Sequence, residues 1–482
     1  MPGDTLKQKA TRGFLWNVLD KISVQVGQFV IGVILARILM PEDFGLIGML
    51  SIFSAVSQSL IDSGMGSGLV QKTNRSNIDY STVFVFNIVA SILIYTILFF
   101  LAPFIASFFS TPQLVLLSRV LTLNIIINSL SIVQRTRLTI RINFKIIAKV
   151  NVVAFLAGGI FGVYFALTGF GVWALVIQNL VRATTMMIMY WSFSKWQPSI
   201  EFSARSFKEL FSFGSKILIA GLYGRIINNI YQIVIGKVYS VSVLGFYTRS
   251  KGFAELTAGT VASIVHQVSY PILASLREDK KRMVSVYSRL IRISSFGIFP
   301  VMTMLAMVAD PFVRLLLGDR WIPVIELLQW MCFARIFFPI SVINMNILNA
   351  MGRSDLYLRV ELSKFPIIAL TLYLTIPLGV KAMIIGHVVT SVMAFFINAY
   401  LPGRFYGYGP LNQLKDMVPV IIATIGMALS IYIVINIYES PMLKLLFGCM
   451  IGAISYIGFS YILRINELKE VINVISARRS ES

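Results

Sequence analysis

The sequence is short of acid, histidine and cysteine, and of charge altogether. It holds 21 Asp and Glu against 42 Lys and Arg, only two His and two Cys, and charged residues make up just 13% of its 482 positions. Soluble domains carry about 25% charge, so a water-facing shell around a single large core is excluded. Cys332 and Cys449 both fall inside apolar stretches, which argues against a disulfide framework or a thiolate metal cluster and for inert buried thiols. His266 and His387 lack metal-ligand spacing, so no metal site is expected. There is no G-x-x-x-x-G-K-[ST] motif and no nucleophile–base constellation; ATP hydrolysis by the chain is not expected, no cofactor is implied, and an enzyme is the weaker class.

What is present is hydrophobic length: 57% of the residues are apolar. Runs of about 20 residues, enough to cross a ~30 Å hydrocarbon core, lie near 14–38, 44–66, 80–104, 114–134, 146–168 and 171–193. Six more lie near 209–235, 243–270, 287–309, 322–347, 356–378 and 380–400, and two further runs occupy 417–437 and 442–463. The expected fold class is therefore an all-α polytopic membrane protein with about 14 transmembrane helices. Lys7, Lys9 and Arg12 precede an apolar segment too long for a signal peptide, so the first span is expected to stay.

The excess of base is spread over alternate connections: Lys72 and Arg75; Arg135, Arg137, Arg141, Lys145 and Lys149; Lys195, Arg205 and Lys208; then Arg277, Lys280, Lys281 and Arg282. Further members are Arg353, Arg359, Arg404, Lys415 and the tail residues Arg464, Lys469, Arg478 and Arg479. Opposite connections hold few, such as Lys381 and Lys444. The positive-inside bias puts both termini in the cytoplasm. Charge distributed over many short loops also disfavours nucleic acid as a partner, despite a formal net charge of +21.

An internal repeat organises the chain. Ala36-Arg37-Ile38-Leu39-Met40-Pro41-Glu42-Asp43-Phe44-Gly45 falls on Gly236-Lys237-Val238-Tyr239-Ser240-Val241-Ser242-Val243-Leu244-Gly245 at an offset of 200. Further on, Ala102-Pro103-Phe104-Ile105 pairs with Asp310-Pro311-Phe312-Val313, and Gly171-Val172-Trp173-Ala174 with Gly379-Val380-Lys381-Ala382, both at an offset of 208. Six spans per copy keep one orientation, which makes these parallel repeats. The expected organisation is a six-helix lobe over 1–198, a second over 199–405, and two extra helices with a basic tail over 406–482. The segment near 194–208 reads as the linker between lobes, and the Gly64-Met65-Gly66-Ser67-Gly68 run as the end of a span.

Polar residues line one face of four spans. Asn17, Lys21, Gln25 and Gln28 fall within a stripe of roughly 80° at the helical rotation; Ser51, Ser54, Gln58 and Asp62 repeat the pattern in the next span. Arg225, Asn228, Asn229 and Gln232 form the seventh span's stripe, and Lys251, Glu255 and His266 the eighth's. Intramembrane charge is costly and normally faces protein or a wet cavity, so the stripes imply a solvated, net basic cleft. Lys21, Arg225 and Lys251, with Arg249 off the stripe, are the candidates to hold an anion, since guanidinium and ammonium suit pyrophosphate. Asp62 and Glu255 are the candidates for ion or proton coupling. Snorkelling or local ion pairs, such as Lys251 with Glu255 at i,i+4, are the competing account of the same residues. Glu326, Arg335 and Glu361 read as further pairing residues.

Leu35-Ala36-Arg37-Ile38-Leu39-Met40-Pro41-Glu42-Asp43-Phe44-Gly45 resembles the first turn of the polysaccharide transporter family. Gly169-Phe170-Gly171-Val172-Trp173-Ala174-Leu175, Leu244-Gly245-Phe246-Tyr247-Thr248-Arg249-Ser250-Lys251 and Leu317-Gly318-Asp319-Arg320-Trp321 are similar to its later signatures. The resemblance, to Wzx-type O-antigen and exopolysaccharide flippases and most to their colanic-acid exporter branch, spans nearly the whole chain. It implies a two-lobe fold of the multidrug/oligosaccharidyl-lipid/polysaccharide superfamily in a bacterial inner membrane. It also implies alternating access, an undecaprenyl-pyrophosphate-linked oligosaccharide as substrate, and polymerase and chain-length machinery as partners. Sugars would then rest on Asn17, Gln25, Gln28, Asn228, Asn229 and Gln232. Members often carry an acid near the position of Asn228-Asn229, and this chain does not. A multidrug or cation antiporter of the same superfamily, and an assembly factor that does not transport, are the competing expectations.

Overall fold

The computed structural model describes residues 23–470 except positions 63 and 200, and every regular element among them is helical. The first half contains α1 (described over Ser23–Ile38), α2 (Pro41–Asp62), α3 (Met65–Gln71), α4 (Asn77–Phe108), α5 (Leu114–Leu121) and α6 (Leu123–Ile140). It continues through α7 (Phe144–Leu167), α8 (Val172–Ser194) and α9 (Ala204–Val238) to α10 (Val241–Ser275). The second half contains α11 (Lys280–Met307), α12 (Ala309–Leu316), α13 (Pro323–Arg335), α14 (Phe338–Ala350) and α15 (Ser354–Ser363). It ends with α16 (Phe365–Thr375), α17 (Val380–Tyr406), α18 (Pro410–Ile437) and α19 (Pro441–Ile462). Each expected span falls on one of these helices or on an adjoining pair, the first of them from Ser23 onward because its earlier residues lie outside the described ones. Eleven helical segments among the described residues are long and apolar enough to cross a membrane. The long helices α9 and α10, which carry the polar stripes, are not among them.

Sequence chemistry explains where the helices start and bend. Ser76 caps α4 reciprocally with Asp79: the Ser76 hydroxyl accepts from the Asp79 amide, and the Asp79 carboxylate accepts from the Ser76 amide. Proline at the first or second position opens α13, α14, α16, α18 and α19, where its missing N–H is no loss. Several expected single spans are broken pairs, α13 with α14 and α15 with α16, because Pro339 and Pro366 cannot continue the preceding turn. The Gly64–Gly68 run does not end its span. Gly64 takes φ +67°, and the chain resumes as α3 directly after it, so the glycine supplies a break within a longer segment.

By compactness the chain divides into residues 1–248 and 249–482, with the boundary inside α10. In the first unit the core gathers Met65, Leu69, Val83, Phe84, Val133, Trp196 and Leu210. The linker is tied to α4 rather than slack. Trp196 Nε1 donates to Asn77 Oδ1 at 2.7 Å, and the amides of Ser199 and Ser203 donate to the hydroxyls of Ser81 and Thr82. Phe84 meets both Trp191 and Trp196 edge-on, and the Arg137 guanidinium lies over the Trp196 ring. Gly158 and Gly162 let α8 approach α7: a Cβ at Gly158 would stand 2.8 Å from the Gln178 carbonyl, the close approach that small-xxx-small spacing permits.

In the second unit α18 packs on α11, and buried polar groups join them. Tyr287 donates to Asn344 and accepts from Gln413, which in turn accepts from Asn344. Beside this chain Arg292 pairs with Asp416 at 3.2 Å and with Glu467 at 2.8 Å, and Tyr408 donates to Asp416. These pairs fasten α18 and the segment after α19 to α11. Outward-facing sides are apolar: Val89, Leu93, Ile97, Phe100 and Phe104 form an exposed ridge along α4, as a lipid-facing helix side requires.

Candidate functional site

The α9 stripe begins exposed and ends buried. Arg225 and Asn228 are exposed, Asn229 is half-buried, and Gln232 is buried. Asn229 Nδ2 donates to the Arg225 carbonyl one turn earlier at 2.8 Å. Gln232 turns toward α2, its amide nitrogen donating to the Gly48 carbonyl and the Ser51 hydroxyl, each at 2.9 Å. Two residues of the expected stripes thus meet each other, since Ser51 belongs to α2 and Gln232 to α9. Gly48 makes that approach possible: a Cβ there would stand 2.8 Å from the Thr248 hydroxyl. Lower on α2, Gln58 Oε1 accepts from Asn128 of α6. On α1, Gln25 is half-buried and Gln28 exposed. Asn17, Lys21 and the Asp62 side chain lie outside the described residues.

At the other end of α9 stands an ion-pair group that sequence reasoning missed. Lys72 pairs with Asp79 and Glu209, each at 3.0 Å, linking the α3–α4 turn to the start of α9. Burial works against the ammonium's charge, yet the hydrogen bonds to Asp79 and Glu209 outweigh it and raise the Lys72 pKa. Gly64 meets Gly214 of α9 backbone to backbone: a Cβ added at Gly64 would stand 2.5 Å from the Gly214 carbonyl oxygen. Glycine at both positions, 150 residues apart in sequence, was the available signal.

In the second unit Lys251 and Arg249 are half-buried. The expected i,i+4 pair of Lys251 and Glu255 is not the short contact. Glu255 instead accepts from Arg335 of α13 at 2.9 Å, and Arg335 is itself 8% exposed. Arg335 also lies over Phe338. A buried guanidinium demands a carboxylate more strongly than the more flexible ammonium one turn away. Glu326 pairs with Lys381, and Glu361 with Lys364 at 2.6 Å. His266 stacks on Tyr270, one turn on.

Chemically, the α9 stripe of the first unit offers a guanidinium and amides, groups that suit an anion or a polyhydroxylated ligand. Relatives sharpen that reading. The chain is 24% identical over 403 residues to the teichuronic acid biosynthesis protein TuaB of Bacillus subtilis, covering 82% of this chain and 83% of that one. It is 21% identical over 402 residues to the lipopolysaccharide biosynthesis protein WzxC of Escherichia coli, covering 82% and 81%. Among solved structures, lipid II flippase MurJ in an inward closed conformation superposes with a TM-score of 0.75 at 14% identity, over 94% of this chain and 98% of that one. That likeness gives the fold, a multi-pass helical membrane protein. The family model described as "Polysaccharide biosynthesis protein" matches residues 34–326, more than half of the sequence and including both repeat turns, and the chain belongs to that family.

Proposed function

We propose that the protein is a flippase that moves undecaprenyl-pyrophosphate-linked oligosaccharide repeat units across the bacterial cytoplasmic membrane by alternating access, for polysaccharide or lipopolysaccharide export. The observation that carries the reading is the α9 stripe, in which Arg225 and Asn228 stay exposed on a membrane-length helix. A charge at that depth is tolerated where it faces a wet interior. The relatives' names, teichuronic acid and lipopolysaccharide biosynthesis, point to glycans as the cargo.

In this reading fourteen helices form two parallel six-helix repeats, 1–198 and 199–405, with 406–482 added, and both termini are cytoplasmic. The pyrophosphate dwells on Lys21 and Arg225, with Lys251 and Arg249 further along the path. Sugars rest on Asn17, Gln25, Gln28, Asn228 and Asn229, while Gln232 lines the wall through its bonds to α2. The polyprenyl tail stays in lipid. Rocking of the repeats exchanges access, and no covalent step on the glycan is involved, so the protein is not an enzyme. Glu255 is already held by Arg335, so a coupling ion there competes with a guanidinium, and Asp62 is the better coupling candidate. Polymerase and chain-length proteins would receive the product. An antiporter of organic cations would need a net acidic path, and the titratable groups named here are mostly basic.

The test is replacement of Arg225 by Ala in a strain lacking the chromosomal copy. Lipid-linked oligosaccharide should accumulate on the cytoplasmic leaflet while the variant inserts at the normal level. Undiminished export by that variant would remove Arg225 from the path.

A further inference from the structure

The start of α2 and the start of α10 dock on each other, and they do so reciprocally. A Cβ at Gly45 would collide with the Val241 carbonyl oxygen, and a Cβ at Gly245 would collide with the Pro41 carbonyl oxygen. Pro41 corresponds to Val241, and Gly45 to Gly245, at the repeat offset of 200. Between these two contacts the Ser242 hydroxyl donates to the Glu42 carboxylate, and those residues are again equivalents. Gly48 against Thr248 continues the series. When residue i touches j, j′ touches i′ and i touches its own equivalent, the contact is isologous, like a two-fold dimer interface built within one chain.

Neighbouring groups show which end of the first unit this is. Lys237, just before the second turn, donates to the Phe108 carbonyl at the end of α4, and Asp43 lies beside Gly171 at the start of α8. It is therefore the end away from Lys72, Asp79 and Glu209, the non-cytoplasmic end in the proposed orientation. The contact is close, and its polar joint is open to water. Glycine admits backbone to backbone, and the polar joint at its centre is a Glu–Ser pair whose glutamate is exposed. Apolar side chains flank the crossings: Val241 lies at Gly45, and Leu244 of α10 reaches Gly48 of α2, 3.4 Å from where a Cβ would stand.

We infer that these duplicated helix starts form a latch between the two repeats that closes the non-cytoplasmic end and must separate in each transport cycle. The inference rests on the transport reading above. Glycine at 45 and 245 sets how closely the latch shuts, and Glu42 with Ser242 sets how readily it parts. The alternative is a permanent weld that holds the repeats together throughout.

A disulfide separates these outcomes. Glu42→Cys with Ser242→Cys, in a background of Cys332→Ala and Cys449→Ala, is expressed in the deletion strain. Reduced, it should export polysaccharide; oxidised with copper phenanthroline, it should cross-link and lose export in proportion to the cross-linked fraction, and reductant should restore it. Either single cysteine should be insensitive to oxidant. Full cross-linking with undiminished export would make the contact a weld, and absence of cross-linking would deny the contact; either result overturns the latch. Should the unsubstituted protein restore no polysaccharide to the deletion strain, the transport reading fails instead. Labelling of Leu244→Cys by a membrane-impermeant maleimide then still decides the latch: Leu244 is 0% exposed in the closed contact, so labelling requires an end that opens, and its complete absence overturns the inference.

Discussion

Individual side chains divide into those the sequence exposes to inspection and those whose partner it hides. The stripe Arg225, Asn228, Asn229, Gln232 is readable because helical rotation alone puts these residues on one side. That Gln232 bonds across to Gly48 and Ser51 is not readable, since 181 residues separate Gln232 from Ser51 and either side chain could equally have faced water. Replacing Gln232 by Leu strands buried groups and should cost about 1–3 kcal/mol, seen as a lower melting temperature in detergent. An unchanged melt would mean the bonds to α2 contribute nothing. The same blindness let Lys251 stand as the natural partner of Glu255, when the carboxylate goes to Arg335, 80 residues away. Glu255→Gln should therefore destabilise the protein, by about 1–2 kcal/mol once the partial exposure of Glu255 is allowed for. If stability is unaffected, the Arg335 ion pair is without consequence.

Helices were legible wherever apolar length and turn chemistry agreed, and their breaks were less so. Proline and glycine announce that a span will bend, but not whether it stops; Gly64 opens α3 where the sequence reads as an end. Contacts between elements needed the structure, although small residues gave partial notice. Gly158 and Gly162 seat Gln178 and Arg182 of α8 against α7, so Gly158→Leu should wedge these helices apart and lower the folded yield, measured as the monodisperse fraction on size exclusion. A normal profile would contradict close packing at that point. The linker is another case: Trp196 is 6% exposed and bonded to Asn77. Trp196→Ala removes a buried ring at a cost of about 3–5 kcal/mol, and should expose the 195–203 segment to protease, which intact protein resists.

For the molecule as a whole, composition and the repeat carried most of the reading. Too little charge for a soluble surface and long apolar runs already describe a helical membrane bundle, and an offset of 200 between two turns reads as a duplication within it. How the helices sort into compact pieces was not available from the repeat, because α9 opens the second copy in sequence yet packs into the first unit through Lys72–Glu209 below and Gln232–Ser51 above. Passage of a pyrophosphate-linked glycan through this bundle is tested most directly with purified protein in liposomes loaded with fluorescent undecaprenyl-pyrophosphate-linked oligosaccharide from the native host, with an impermeant quencher outside. The protected inner-leaflet pool should become quenchable with the unsubstituted protein and stay protected with Arg225→Ala; equal rates for the two, or no movement above empty liposomes, would contradict a transport path through Arg225.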